Sequence, residues 1–150
     1  MKIRLANADD SGQIAAAVNA LIRELGGNAL PAAEAQAMCD RVIAGEADGA
    51  IIIADDGDQL VGVCTVSFQD AIRTLGRYAI IQEMYIAPAH RNGGLGGELV
   101  DAAAKEAANR GCEVVELGAP PEGKDAQRFY ERIGFTYVGP RLRRVLNSDG

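Results

Sequence analysis

The stretch HRNGGLGG, residues 90–97, contains four glycines at the point where one apolar pattern gives way to another. The strand-like run YAIIQEMYIAP, residues 78–88, precedes it, and the alanine-rich run ELVDAAAKEAA follows it. Glycine destabilises the interior of both strands and helices, because it loses more backbone freedom on folding than any other residue. The pattern therefore predicts a tight strand-to-helix turn whose unpaired N–H groups and positive helix dipole suit an anion.

The remaining apolar spacings predict one α/β domain over residues 1–150. The residues Asp9-Asp10-Ser11 are N-cap candidates for a first helix, which Gly26-Gly27 ends. Asp56-Gly57-Asp58 predicts a hairpin turn. The expected fold is a mixed, mostly antiparallel sheet of about six to seven strands with about four helices. Strands are expected at 2–5, on both sides of 56–58, and at 78–88, 112–117, 135–138 and 141–146; further helices are expected at 31–44, 94–110 and 125–133.

Composition narrows the classes of partner. The 15 Lys and Arg residues against 21 Asp and Glu give a formal net charge of -6, which would repel a nucleic acid backbone. No apolar run approaches the ~20 residues of a membrane span, and MKIRLANADD lacks the apolar core of a signal peptide. We therefore expect a cytoplasmic protein with neither a nucleic acid nor a membrane partner; a homodimer is compatible with the sequence.

The three cysteines, Cys39, Cys64 and Cys112, are far apart and form no C-x-x-C pair. This spacing favours reduced thiols over a disulfide framework or a zinc site, and no metal site is predicted. Cys64 alternates with valines in a strand-like run, which predicts a small buried hydrophobe. A Cys–His nucleophilic pair would have to use His90, the sole histidine, which lies in the glycine-rich turn without an evident orienting partner.

Two familiar phosphate loops do not match the glycine stretch. A Walker loop ends in G-K-[ST], and a dinucleotide loop would need glycine at Leu99. The stretch does match R-x-x-G-x-G over residues 91–96, and A-Q-R-F-Y-E-R-I-G-F at 126–135 matches A-x-x-F-Y-x-x-x-G-F. The two motifs, in this order and on these elements, resemble the acyl-CoA loop and the second signature of the GNAT superfamily of N-acetyltransferases. One departure is Gly123, where many members carry asparagine.

The resemblance implies acetyl-CoA as co-substrate, with no metal. Main-chain groups of Met84, Tyr85 and Ile86 would then pair with the pantetheine arm and the acetyl carbonyl. Met84 is equally compatible with a plain core methionine. Main-chain groups of six residues would hold the pyrophosphate: Arg91, Asn92, Gly93, Gly94, Gly96 and Gly97.

The resemblance also gives candidates for proton transfer. Tyr130 matches the family tyrosine that acts as general acid near the CoA sulfur; the alternative is an aromatic side chain packed beside Phe129. Glu83 is the base candidate, because a carboxylate inside an apolar strand is expensive to bury without purpose. A solvated or salt-bridged glutamate is the alternative. Strand alternation predicts that Gln82 and Glu83 lie on opposite faces.

The acceptor is expected to be a small-molecule amine. The resemblance implies a site built from the first two helices and the loop between the third and fourth strands, roughly residues 21–31 and 68–78. Acids there favour a cationic amine, whereas arginines there favour a carboxylate-bearing amine. A non-catalytic acyl-CoA-binding regulatory module and a protein or peptide acetyltransferase remain alternatives. The acids are Glu24, Glu34, Asp70 and Glu83, and the arginines are Arg23, Arg73 and Arg77.

Overall fold

The structure, a computed structural model, describes residues 1–118, 124–139 and 143–146. The chain divides into two compact units, Met1–Glu116 and Leu117–Gly150. The expectation of one domain over residues 1–150 stays a prediction.

Five strands form one sheet in the described part of the chain, in the order β1-β2-β3-β4-β5. The first four strands pair antiparallel with their sequence neighbours, as hairpin-connected strands do. The β2–β3 turn confirms the predicted hairpin: the Asp56 carboxylate accepts from the Asp58 and Gln59 N–H groups, and Gly57 takes φ +100°. The strands are β1 Lys2–Leu5, β2 Gly49–Asp55, β3 Leu60–Ala71, β4 Gly76–Ile86 and β5 Val115–Leu117.

The described residues form four α-helices, and the sequence predicted a helix at each of these places. One-turn 3-10 helices at Ala8–Asp10 and Pro88–His90 precede α1 and α3. None of the helices that the structure describes is long and apolar enough to cross a membrane. The helices are α1 Ser11–Glu24, α2 Ala32–Ile43, α3 Leu95–Asn109 and α4 Lys124–Arg132.

The helices α1 and α3 cover opposite faces of the sheet. Ile14 and Val18 of α1 pack with Ile51 and Val63 in one buried cluster. Gly62 points the other way, since alternate strand residues face opposite sides, and a Cβ on Gly62 would lie 2.9 Å from Leu99 Cδ1 of α3. Burial on both faces explains the continuous apolar run of β2, which is buried from Gly49 to Ala54.

The start of α1 differs in detail from the expectation. Asp10 occupies the N-cap position, but its carboxylate does not cap α1. It accepts from the Asn7 N–H at 2.7 Å and from the Arg4 guanidinium at 2.8 and 3.1 Å. Asn7 in turn accepts from the Asp9 N–H, so the capping box closes over the 3-10 turn instead.

The predicted strand count is slightly too high for the described residues. The predicted strand at 112–117 is shorter, Val115–Leu117, and residues 135–138 and 143–146 carry no strand. Positions 141 and 142 lie outside the described residues. Val138 and Leu146 are 85% and 88% exposed, so these apolar side chains are largely uncovered. An alternating apolar pattern shows that a segment is compatible with a strand. The strand forms only where a neighbouring strand pairs with it.

Candidate active site

The glycine stretch forms the predicted strand-to-helix turn. After β4 the chain makes the 3-10 turn Pro88–His90, and α3 then begins at Leu95. Asn92 and Gly94 take positive φ values of 66° and 86°. The left-handed conformation is unfavourable for most side chains, which explains why glycine stands at 94 directly before the helix.

The first turn of α3 leaves main-chain donors open. The first intrahelical bond runs from the Glu98 N–H to the Gly94 carbonyl at 3.2 Å, so the N–H groups of Leu95, Gly96 and Gly97 have no acceptor inside the helix. A Cβ built on Gly93, Gly94 or Gly97 would meet nothing within 4 Å. Open donors, open space and the positive end of the helix dipole together suit this turn to binding an anion.

The Arg91 side chain is directed away from this turn, toward α1. Its Nε donates to the Ile86 carbonyl at 2.8 Å, and its Nη2 lies 2.6 Å from Glu24 Oε1 near the end of α1. The guanidinium also lies 5.5 Å from the centroid of the Tyr85 ring. The positive charge of Arg91 is therefore shared with Glu24, and a ligand at the turn would be met mainly by main-chain groups.

The strand β4 connects this turn to the rest of the sheet. Met84, Tyr85 and Ile86 are half-buried and pair with Cys64, Val63 and Gly62 of β3, in that order. On the other edge, the Ala79 N–H donates to the Val114 carbonyl, and β5 has only three residues. Since β4 has eleven residues, most of its far edge has no strand partner in the described part of the chain.

A β-bulge in β4 places Gln82 and Glu83 on the same cavity. Thr65 pairs with Glu83 and the next residue, Val66, pairs with Ile81, so Gln82 is an extra residue in the ladder. Both Gln82 and Glu83 line a cavity between α1, α2 and strands β2 to β4. The prediction that the two residues lie on opposite faces is wrong, because a bulge interrupts the alternation on which it rested.

The cavity lies between α1, α2 and strands β2 to β4 and has a volume of about 190 Å³. Its wall is mostly apolar, and its polar groups are Asp48, Thr65, Ser67, Gln82 and Glu83. The apolar part is formed by Ile14, Ala15, Val18, Leu30, Ala35, Met38, Cys39, Val42, Ala47, Ala50, Ile51 and Val66, with Gly49 beside them.

Thr65 holds Glu83 at the cavity wall. Its hydroxyl donates to Glu83 Oε2 at 2.6 Å and accepts from the Glu83 N–H at 3.0 Å. Among the ion pairs of the described residues, none involves Glu83, whereas Asp48 is held bidentately by Arg77 at 2.7 and 3.0 Å. The charge of Asp48 is thus balanced within the protein, and Glu83 is the acid left to meet a cation from outside.

The thiols near Glu83 are poor nucleophiles. Burial, and to a smaller extent the Glu83 carboxylate, raise the pKa of the Cys64 thiol to about 12. Burial likewise raises the pKa of Cys39, with smaller contributions from the charges of Asp40 and Glu83. Cys64 is fully buried, which confirms the prediction of a small buried hydrophobe at 64, and all three cysteines are free in the structure.

The expected acceptor segments contribute unequally to the cavity. Leu30 is the contribution of residues 21–31, and residues 68–78 contribute none of the described lining. In that second segment, Arg73 pairs with Glu116 at 2.7 Å and Arg77 with Asp48. The resemblance implied that the second helix contributes to the acceptor site, but it did not name the α2 residues that line the cavity. Their helical spacing on one apolar face was the signal that could have indicated them: Ala35, Met38, Cys39 and Val42.

Tyr130 belongs to the second unit, whereas Glu83 belongs to the first. Within α4 its ring makes edge-to-face contacts with Phe129 and Phe135, at centroid distances of 5.0 and 5.7 Å. The Tyr130 carbonyl accepts from the Phe135 N–H at 3.0 Å, where the chain turns back at Gly134 with φ +104°. The family-like aromatic motif is therefore a local packing unit. Gly123 lies outside the described residues.

Over the described ranges, no group of three or more His, Cys, Asp and Glu residues is arranged to hold a metal ion.

Comparisons with known proteins agree on one family. Residues 14–135 match the sequence profile of the Acetyltransferase (GNAT) family. The chain is 30% identical over 88 residues to an aminoalkylphosphonate N-acetyltransferase of Salmonella typhimurium, which covers 59% of this chain and 57% of that protein. The chain spans between 25% and 57% of the lengths of the two curated relatives that it matches.

Solved structures share the fold. A candidate acetyltransferase from Arthrobacter sp. FB24 superposes with a TM-score of 0.81 at 27% identity, over 98% of this chain and 96% of that chain. An aminoglycoside N-acetyltransferase in complex with CoA superposes with a TM-score of 0.83 at 17% identity, over 98% of this chain and 94% of that chain. The second likeness shows the fold alone.

Proposed function

Because the chain belongs to the GNAT acetyltransferase family, we propose that it is an acetyl-CoA-dependent N-acetyltransferase that acts on the primary amine of a small molecule. The observation that carries this proposal is the course of β4. The same strand holds Glu83 at the cavity wall and leads directly into the glycine turn at the start of α3. Glu83, the base candidate, and the glycine turn, which is suited to binding an anion, thus lie at the two ends of one short segment.

Acetyl-CoA is the proposed acetyl donor. Main-chain groups of Arg91, Asn92, Gly93, Gly94, Gly96 and Gly97 would bind its pyrophosphate, because main-chain donors at a helix N-terminus favour anions. Of these, the Arg91 N–H donates to the Pro88 carbonyl at 3.4 Å. Main-chain groups of Met84, Tyr85 and Ile86 would pair with the pantetheine arm. The CoA complex of an aminoglycoside N-acetyltransferase with this fold supports the assignment of the co-substrate.

The proposed chemistry is a direct transfer in a ternary complex. An alkylammonium of pKa ~10 must lose a proton before it can attack, and Glu83, at the cavity wall, would accept that proton. The amine nitrogen then forms a bond to the acetyl carbon as the C–S bond breaks. Tyr130 would donate its phenolic proton to the departing thiolate, and the extra proton on the newly bonded nitrogen would pass to the Tyr130 phenolate, so that the products are the neutral acetamide and CoA thiol, with the first amine proton on Glu83.

The acceptor site is proposed at the cavity between α1, α2 and the sheet. The name of the Salmonella relative indicates that protein's action on aminoalkylphosphonates, and it supports a small-molecule amine as the substrate class here. A cavity of about 190 Å³ also suits a small molecule better than a folded protein surface.

The proposal is tested by CoA release from acetyl-CoA over a panel of small amines and lysine peptides, with a thermal melt in acetyl-CoA alongside. A ligand that binds only the folded state stabilises it by RT ln(1 + [L]/Kd), about 2.7 kcal/mol at a hundredfold excess over Kd. We expect both stabilisation and amine-dependent release. Stabilisation without release for any amine would favour a non-catalytic CoA-binding module, and release with peptides alone would favour a protein acetyltransferase.

A further inference from the structure

We propose that the acceptor is an apolar primary monoamine, an alkylamine or arylalkylamine that carries one ammonium and no carboxylate or phosphonate. This inference rests on the proposed function, because it names the substrate class for the same site. It follows from the chemistry of the cavity between α1, α2 and the sheet, which takes one positive charge and otherwise offers apolar surface.

The wall of the cavity matches a hydrocarbon group. Apolar side chains from α1, α2 and the sheet form most of it. No residue of α2 is fully buried by the protein, and Met38 remains 46% exposed. A ligand that covers the apolar face of α2 would therefore remove further apolar surface from water, which favours binding in proportion to the area covered.

The volume sets the size of that group. An apolar protein cavity of roughly 150 Å³ is known to hold benzene. A cavity of about 190 Å³ accordingly has room for a chain or ring of a few more atoms. Hexylamine and phenethylamine are of this size, whereas a complete aminoglycoside is much larger.

The charged residues at the cavity wall favour a ligand with a single positive charge. Asp48 is already paired with Arg77, at a closest distance of 2.7 Å. Glu83 accepts the Thr65 hydroxyl and has no basic partner among the ion pairs of the described residues. One ammonium beside Glu83 would complete the balance, and a second ammonium deeper in the cavity would have no counter-charge.

The same wall disfavours an anionic group on the acceptor. Neither lysine nor arginine lines the cavity in the part of the chain that the structure describes. A carboxylate or phosphonate there would lose its hydration without gaining an ionic partner. The arginines of residues 68–78 do not change this, since Arg73 and Arg77 are already paired with Glu116 and Asp48. The inference thus separates this chain from an enzyme that acts on aminoalkylphosphonates.

The first test is a chain-length series with acetyl-CoA as the donor, from n-propylamine to n-hexylamine. If each added CH₂ is buried against the cavity wall, kcat/KM rises about fourfold per CH₂, equivalent to ~0.8 kcal/mol. A flat series would overturn the inference, because it would show that the chain stays in water.

Pairs of amines of similar size test the prediction that the acceptor carries one ammonium and no anionic group. Hexylamine should exceed 1,6-diaminohexane, and phenethylamine should exceed phenylalanine and aminoethylphosphonate, each by at least about tenfold in kcat/KM. A preference for the diamine, the amino acid or the phosphonate would overturn the inference while leaving the enzyme class intact. No reaction with any amine would instead refute the proposed function, provided that acetyl-CoA still raises the melting temperature.

A matched pair of variants on α2 localises the effect. Ala35→Leu places three extra carbons in the cavity, whereas Ala37→Leu makes the same change at an exposed position outside it. Both keep a strong helix former. Ala35→Leu should raise the KM for hexylamine at least about tenfold, with little change for acetyl-CoA, and Ala37→Leu should leave both unchanged.

Two outcomes would place the acceptor elsewhere. Equal behaviour of the Ala35→Leu and Ala37→Leu variants would show that hexylamine does not enter this cavity. A higher kcat/KM with hexanoyl-CoA than with acetyl-CoA, abolished by Ala35→Leu, would assign the cavity to the acyl chain instead.

Discussion

Thr65 and Glu83 lie opposite each other on β3 and β4 and share two hydrogen bonds, with the Thr65 hydroxyl donating to Glu83 Oε2 and accepting from the Glu83 N–H. A hydroxyl carries one proton, so donation to the carboxylate fixes which oxygen of Glu83 is engaged. The other carboxylate oxygen is left for further contacts. The Thr65–Glu83 pair lies at the β-bulge of β4, where both Gln82 and Glu83 line the same cavity.

If Glu83 accepts the proton of the amine, Glu83→Gln should lower kcat about a hundredfold or more, because an amide cannot act as the base. The stabilisation by acetyl-CoA should be unchanged. Steady-state CoA release and thermal melts measure the two effects. Glu46→Gln is the matched control, since Glu46 is exposed beyond the end of α2.

The role of Thr65 in this prediction can be separated from simple packing. Thr65→Val removes both hydrogen bonds to Glu83, whereas Thr65→Ser keeps the hydroxyl. We expect kcat to fall about tenfold in Thr65→Val and to recover in Thr65→Ser. Equal kcat values for Glu83→Gln and the unaltered protein would transfer the role of base to an ordered water or to another residue.

A substitution in the glycine turn should weaken CoA binding without preventing folding. Gly97 has an ordinary φ, and a Cβ there meets nothing within 4 Å, so Gly97→Ala should fold and should gain up to about 1 kcal/mol from helix propensity. The added methyl group would nevertheless occupy the space beside the open donors of α3. We expect the Kd for CoA to rise at least about tenfold, measured by calorimetry.

Gly12→Ala is the control for this change. Gly12 also lies in the first turn of a helix, and its Cβ would make only an ordinary contact, 3.9 Å from Gln36 Oε1. This variant should show a similar gain in stability with unchanged CoA affinity. Undiminished CoA binding by Gly97→Ala would contradict the assignment of the turn to the pyrophosphate.

The comparison of sequence and structure shows which features a local pattern can reveal. The run GAIIIA and the helical spacing of Ile14 and Val18 predicted elements correctly, because burial selects apolar residues at the period of each element. The bulge at Gln82 could not be predicted in this way, since an inserted residue changes the facing of its neighbours without changing the composition. The cavity could not be predicted from the sequence pattern either. The spacing of Ala35, Met38 and Val42 indicates an apolar face, but not that the protein leaves part of it uncovered.

The Arg4–Asp10 pair predicts an acid-sensitive contribution to stability. Hydrogen bonds from the Arg4 guanidinium lower the pKa of Asp10, and the Asn7 N–H adds to this effect against an opposing effect of burial. A carboxyl whose pKa is lower in the folded state stabilises the fold above its unfolded pKa of ~3.9, and that contribution is lost as the pH falls through its folded pKa.

Asp10→Asn should therefore lower the free energy of unfolding by about 2 kcal/mol at pH 7, the usual range for a hydrogen bond to a charged group. The difference from the unaltered protein should shrink as the pH falls below about 4. Urea unfolding at several pH values measures it. Asp9→Asn, at an exposed neighbouring position, is the control, and a pH-independent difference would show that the charge of Asp10 is not responsible.

Tyr130→Phe should lower kcat and leave the KM for acetyl-CoA nearly unchanged, because the phenol is proposed to act only as the thiolate leaves. The ring contacts with Phe129 and Phe135 do not require the hydroxyl, and circular dichroism would show whether the variant is folded. Tyr137→Phe, at a 54% exposed position, is the matched control. An unaltered kcat in Tyr130→Phe would return Tyr130 to a purely structural role.

Acetyl transfer itself is tested most directly by mass spectrometry of the products formed from acetyl-CoA and hexylamine. Production of N-hexylacetamide and CoA in equal amounts, both lost in Glu83→Gln, is the result that the proposed function predicts. Release of CoA with free acetate and no acetamide, whichever small amine is supplied, would contradict it.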